Sequence, residues 1–240
     1  MQDNLTTLKV IVVGDQNVGK THIITQFCIG QIPSNIKSTL GVDFQTKVIR
    51  DNLSGESAKL LIYDTAGEEK FHAIAALHYK KAKGCVIVYD VTNRKSFENV
   101  ERWLNDARNL ADQDCIIMLL GNKCDTDDKT LLNQSGQGRQ LMNEREVSFE
   151  EGASFANINN LSFFEVSAIQ KINIKESFGM LGSQIIQLNQ SLLLAKGIKG
   201  GNKQESAKKP IRLQRSRFEC CIQDGREKID EDYEPKSRCC

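Results

Sequence analysis

Three short stretches of this 240-residue chain hold residue types whose order and spacing could grip a nucleoside triphosphate. The first, "GDQNVGKT" from Gly14 to Thr21, satisfies G-x-x-x-x-G-K-[ST] in full. In such a loop the backbone N–H groups of Asn17, Val18, Gly19 and Lys20 converge on the β-phosphate, helped by the positive end of the following helix. Lys20 supplies a mobile charge between the β- and γ-phosphates, the Thr21 hydroxyl ligates Mg²⁺, and His22 follows in the first helical turn as a further nucleotide-contacting residue. The second stretch, "YDTAGEEKF", carries D-x-x-G. Asp64 would hold Mg²⁺ through water, and the Gly67 N–H could meet a γ-phosphate oxygen. Glu68 stands just past that glycine, where an attacking water has to be positioned. The third, "GNKCD" from Gly121 to Asp125, can read a base. A carboxylate in the purine plane accepts from guanine N1–H and its exocyclic amine, and adenine offers neither. Asp125 therefore selects guanine, with Asn122 bracing the loop and the Lys123 stem lying along the ring. Ser167, Ala168 and Ile169 can present backbone N–H to guanine O6.

These stretches need elements to position them. Apolar, β-rich runs recur at 8–13, 59–63, 85–90, 115–121 and 161–166, and "DFQTKVIR", "DNLSGES" and "KLLIYD" make a hairpin whose outer strand is an antiparallel edge. Helical patterns lie between most of them. "KSFENVERWLNDARNLA" puts Phe97, Val100, Leu104, Ala107 and Leu110 on one stripe, and Ser148 with Glu151 forms a capping box. A last amphipathic helix covers roughly Ile174 to Ala195. The expectation is an α/β P-loop fold: a six-stranded, mostly parallel sheet with helices on both faces.

Composition narrows the class. With 32 Lys and Arg against 31 Asp and Glu, the net charge is +1, which gives no basis for a nucleic-acid partner. No run of about 18 apolar residues suggests a membrane-spanning helix, and Met1 to Thr7 lack the apolar core of a signal peptide, so a cytosolic chain is expected. Of eight cysteines, Cys28, Cys85, Cys115 and Cys124 are scattered singly through the apolar body as expected buried free thiols. The other four are two adjacent pairs, Cys220-Cys221 and Cys239-Cys240, in a polar tail. The expected organisation is one domain over 1–196, with a loop inserted at about 126–146, followed by a disordered tail over 197–240.

Taken together, the motifs resemble the small Ras-like GTPases, and more narrowly the Rab family, through "STLGVDF", "KLLIYDTAGEEKF", "HYKKAKG", "VIVYDVTNRKSFENVERWL" and the terminal "CC". The resemblance implies a monomeric GTP/GDP switch in membrane traffic. It further implies an exchange factor, a GTPase-activating protein, effectors and a GDP-dissociation inhibitor or escort protein as partners. Thr39 would ligate Mg²⁺ and contact the γ-phosphate, ordering the first switch. Phe44, Tyr63 and His78 fall on the aromatic effector triad. Cys239 and Cys240 match the double-prenylation signal, which would anchor the chain peripherally on the cytosolic face of an intracellular membrane.

Several positions depart from the family. Glu68 stands where Gln usually orients the water, and a carboxylate adds negative charge beside the phosphoryl group. Gln16 places a long side chain where an arginine finger would approach. Both point to slow hydrolysis by the catalytic set Lys20, Thr39 and Glu68. Ile32 and Ile36 replace aromatic contacts to the base and phosphates, and Ile169 replaces a Lys. Two functions stay open: a slowly hydrolysing switch, and a GTP-holding scaffold that recruits effectors constitutively.

Overall fold

The computed structural model describes residues 5–33, 41–65, 77–127 and 144–195. Among them are six strands: β1 (Thr6–Val13), β2 (Val42–Arg50), β3 (Ser57–Thr65), β4 (Gly84–Asp90), β5 (Ile116–Asn122) and β6 (Ser162–Val166). They form one sheet in the order β2-β3-β1-β4-β5-β6. Only β2 runs antiparallel to its neighbour, with Phe44 opposite Tyr63, and the remaining pairs are parallel. The sequence expectation of six strands with an antiparallel edge hairpin holds.

The helices are α1 (Lys20–Ile29), α2 (Arg94–Glu98), α3 (Val100–Leu110), α4 (Phe149–Asn159) and α5 (Ile174–Ala195). Successive strand residues point to opposite faces, so each central strand feeds two cores. On one face Val10, Val12, Val86, Val88, Met118 and Leu120 pack with Ile23, Ile24 and Phe27 of α1 and Phe178 and Leu181 of α5. The Phe27 and Phe178 rings stack with centroids 4.4 Å apart. On the other face Ile11, Val13, Cys85, Ile87, Tyr89 and Leu119 meet Trp103, Leu104 and Ala107 of α3 and Ala156 of α4. All seven residues of β4 are buried, as covering both faces of a parallel sheet requires.

The Ser148–Glu151 capping box is formed reciprocally at the start of α4. The single helix expected over "KSFENVERWLNDARNLA" is instead two, broken at Asn99. Leu110, counted on its buried stripe, is exposed, and the buried set is Val100, Trp103, Leu104 and Ala107. Of the four body cysteines only Cys85 is fully buried, and all four are free thiols. Among the described residues no helix is long and apolar enough to cross a membrane. Every described residue lies within one compact unit, Met1–Lys199, and the tail expected over 197–240 and most of the insertion expected at about 126–146 lie outside the described residues.

Candidate nucleotide site

Each candidate segment sits at a carboxyl end of the sheet: Gly14 follows β1, Asp64 lies at the end of β3, Asp90 ends β4, Asn122 ends β5 and Ser167 follows β6. Open α/β sheets bind ligands there, where the order of strands reverses direction. The phosphate loop gets its shape from backbone conformations that glycine tolerates. Gly14 has φ +143, and a Cβ on it would lie 2.2 Å from the Val88 carbonyl oxygen. Gly19 has φ +96, and its Cβ would meet Asn122 Nδ2 at 2.3 Å. Asn17 also has positive φ, at 64°. The loop therefore lies directly against β4 and β5. Gly19 caps α1 without a side-chain hydrogen bond, and no acidic residue occupies the first turn. Such a helix start is an open anion site.

Lys20 folds back over this loop. Its Nζ donates to the Gly14 carbonyl at 2.9 Å and to the Asp15 carbonyl at 2.7 Å. Burial lowers its pKa to about 8, with Asp64 and Asp15 opposing the fall. Thr21 Oγ1 donates to Asp64 Oδ2 at 2.6 Å, so two of the three expected Mg²⁺ ligands touch. A hydroxyl beside a carboxylate offers the hard oxygen donors that Mg²⁺ takes, and the residues fit that ion. Thr65, next after Asp64, ties β3 to β1 by donating to the Val12 carbonyl at 2.8 Å. His22 is half-buried, its pKa lowered by burial and by Lys123 against the opposing Asp64.

The base-reading loops join the phosphate loop through one side chain. Asn122 Nδ2 donates to the Val18 carbonyl at 2.8 Å, while its Oδ1 accepts from the Ala168 N–H at 3.4 Å. Asn122 thus links the 121–125 loop to Val18 of the glycine-rich loop and to Ala168. Asp125 lies in the 3-10 turn Cys124–Asp127. Lys123, at φ +68, pairs its ammonium with Asp90 Oδ2 at 2.5 Å, and Asp90 Oδ1 accepts from the Thr92 N–H and hydroxyl. Ser167 Oγ accepts from the Gln170 N–H, and the loop is pinned to the end of α1 by Lys171 Nζ donating to the Gly30 carbonyl. Ile169 points outward, 70 % exposed, so its contribution to the loop is backbone only. Ile32 is partly buried against the α1–α5 core. Thr39, Gly67, Glu68, Ile36, Cys239 and Cys240 lie outside the described residues.

Sequence reasoning passed over Asp15, Asn99, Trp103 and Asp90. Only Asp90 left a signal, a carboxylate ending a strand that is otherwise wholly apolar.

Comparison with known proteins places this geometry. Residues 9–187 match the family model described as the Ras family. Relatives include Ras-related protein Rab11A of Lotus japonicus, 34% identical over 194 residues covering 81% of this chain and 78% of the relative. Ras-related protein Rab-11C of Dictyostelium discoideum is 38% identical over 76% of this chain and 74% of its own. The GTP-binding protein ypt3 of Schizosaccharomyces pombe is 39% identical over 77% and 79%. The chain belongs to the Ras family and is a Rab-like small GTPase. Members of this family bind GTP or GDP with Mg²⁺ and act as GTP-regulated switches.

In this Rab-like GTPase the three expected effector residues form one row of rings. Phe44, 59 % exposed, stands 6.1 Å from Tyr63 between centroids, and Tyr63 stands 5.0 Å from His78. Lys9 Nζ lies 5.0 Å from the Tyr63 centroid and donates to the Lys80 carbonyl. Burial and then Lys9 lower the His78 pKa.

Proposed function

We propose that this Rab-like GTPase is a switch of vesicular traffic that binds Mg²⁺–GTP and hydrolyses it slowly. The observation that supports binding is the contact of Thr21 with Asp64 next to Lys20, whose Nζ lies over a loop that Asn122 ties to the 121–125 segment. Thr21, Asp64 and Thr39 would hold Mg²⁺, which when bound neutralises charge shared between the β- and γ-phosphates. Lys20 orients the same phosphates, Asp125 selects guanine, and the N–H groups of Asn17 to Lys20 hold the β-phosphate. Glu68 accepts from the attacking water but opposes the charge that grows on the phosphoryl oxygens, so turnover is slow.

Glu68 and Gln16 also favour a second reading, a GTP-holding scaffold with little hydrolysis. Single-turnover hydrolysis of preloaded GTP, wild type beside Glu68→Gln, separates the two. A markedly faster Glu68→Gln marks the wild type as biased toward a long-lived GTP state. Equal rates sink that bias and leave a conventional switch. Nucleotide released by denaturing the purified protein gives an independent reading: GDP from a switch, GTP from a scaffold. The row Phe44, Tyr63 and His78 would receive effectors, and prenylation at Cys239 and Cys240 would hold the chain on the membrane.

A further inference from the structure

The carboxylate of Asp15 is not required by the phosphate cradle, by Mg²⁺ or by the base, yet it is fully engaged. Its Oδ2 accepts from Asn99 Nδ2 at 2.6 Å and its Oδ1 from the Trp103 indole N–H at 2.8 Å. The Arg102 guanidinium lies 3.7 Å from Oδ1. All three partners come from the break between α2 and α3 and the first turn of α3. Trp103 is 3 % exposed and embedded in the second core with Ile11, Val13 and Ile87, so its N–H is held in place by packing.

Asp15 is also the residue whose carbonyl accepts from Lys20 Nζ at 2.7 Å. A continuous set of contacts thus runs from the body of α3 through one residue to the phosphate-binding lysine. The loop between has Gly14, Asn17 and Gly19 in positive φ, a backbone path that regular secondary structure does not sustain. A site on such a path holds its geometry only when outside groups fix it.

We propose that Asn99 and Trp103 are positioning residues for nucleotide retention: by holding Asp15 they fix the first turn of the phosphate loop, and α3 thereby sets how fast the loop releases its phosphates. The proposal rests on nucleotide binding by the loop itself. The competing account is local. Asn99 precedes α3 without a capping hydrogen bond from its own side chain, and the Asp15 carboxylate near that helix start could stabilise α3 and nothing more.

The test is release of a fluorescent GDP analogue from the full-length Mg²⁺-loaded protein, measured with thermal melting for Asn99→Ala, Trp103→Phe, Asp15→Ala and the Asn99→Ala/Asp15→Ala pair. Trp103→Phe keeps an aromatic ring and removes the N–H donor. The single variants should release the analogue roughly tenfold faster, the weight of one hydrogen bond to a charged group. The paired variant should be no faster than Asp15→Ala alone, because both changes break the same link. Wild-type release rates with lowered melting temperatures would overturn the proposal in favour of the local account. A paired variant showing the product of the two single effects would also overturn it, since Asn99 would then not act through Asp15. Should Trp103→Phe not fold, the Asn99 and Asp15 arms decide. A wild-type protein that fails to take up the analogue would overturn nucleotide binding itself, a result distinct from unchanged release rates.

Discussion

At the scale of single residues, Lys20 is the most exacting group in the molecule. Burial leaves it at about 8 instead of 10.5 while it donates to two carbonyls of its own loop. Phosphates bound beside it, as proposed, would favour the charged form and raise its pKa. Below about 8 the lysine is charged in both states, so its proposed contribution to nucleotide binding would be complete. Above that pH, binding must draw a proton from solvent and affinity falls. Titrating GDP affinity upward through about 8 should show this decline, and Lys20→Arg, which keeps its charge, should show a flatter profile. For folding the sign is reversed. Between about 8 and 10.5 the unfolded chain holds the proton and the folded one does not, so the nucleotide-free protein gains stability from this group as pH rises.

At the scale of elements, β4, β5 and α4 meet around the Tyr89 hydroxyl. Among the described residues that oxygen is buried with no hydrogen-bond partner, and it occupies the space of two missing side chains. A Cβ on Gly121 would lie 2.7 Å from it, and one on Gly152 would lie 2.5 Å from it and 2.6 Å from Phe163 Cζ. Gly152→Ala should therefore cost about 1–3 kcal/mol by overpacking. Tyr89→Phe removes an unpaired buried hydroxyl and should raise stability by about 1 kcal/mol, and in the double variant it should recover part of the Gly152→Ala loss. Denaturant unfolding of the four proteins measures both effects.

The same elements mark where the sequence was legible and where it was not. Strand positions followed from apolar runs because a doubly covered sheet leaves no polar alternative. The Ser148–Glu151 cap and α5 were legible because their signals are local. The break at Asn99 was not, because Asn99 gives its side chain to Asp15, 84 residues away in sequence, and no helical period encodes that. Leu110 kept the period of the stripe, yet as the last residue of α3 it is exposed. At the candidate site, the juxtaposition of Thr21 with Asp64 and of Asn122 with Val18 was legible because phosphate and Mg²⁺ chemistry prescribes residue types at set spacings. Asp15, Asn99 and Trp103 were hidden because they touch only other protein groups.

At the scale of the whole molecule, the inserted loop can be separated from what anchors its far end. Arg145 makes a two-pronged ion pair with Glu165 of β6, at 2.7 and 2.9 Å, and donates to the Val147 carbonyl. Glu146 accepts from the Arg94 N–H, and both Glu146 and Val147 donate their N–H to the Val91 carbonyl. A deletion confined to 128–143 should leave nucleotide affinity within a few-fold. Extending it through Arg145 leaves Glu165 half-buried without its partner and should cost about 3 kcal/mol of stability. A GTP titration and thermal melting on the two deletions check this. A large affinity loss in the shorter one would mean that the insertion contributes to holding the nucleotide.

Trp103 is the only tryptophan in the chain, and its indole N–H rests on the carboxylate of a phosphate-loop residue. Indole emission responds to the field of a charge hydrogen-bonded at that nitrogen. The molecule therefore contains its own optical probe, placed one residue from the start of the loop and undiluted by any second fluorophore of its kind. Nucleotide loading should therefore shift the emission of the native, unlabelled protein, which a fluorescence titration with GDP checks with no dye on the nucleotide and no reporter grafted onto its surface.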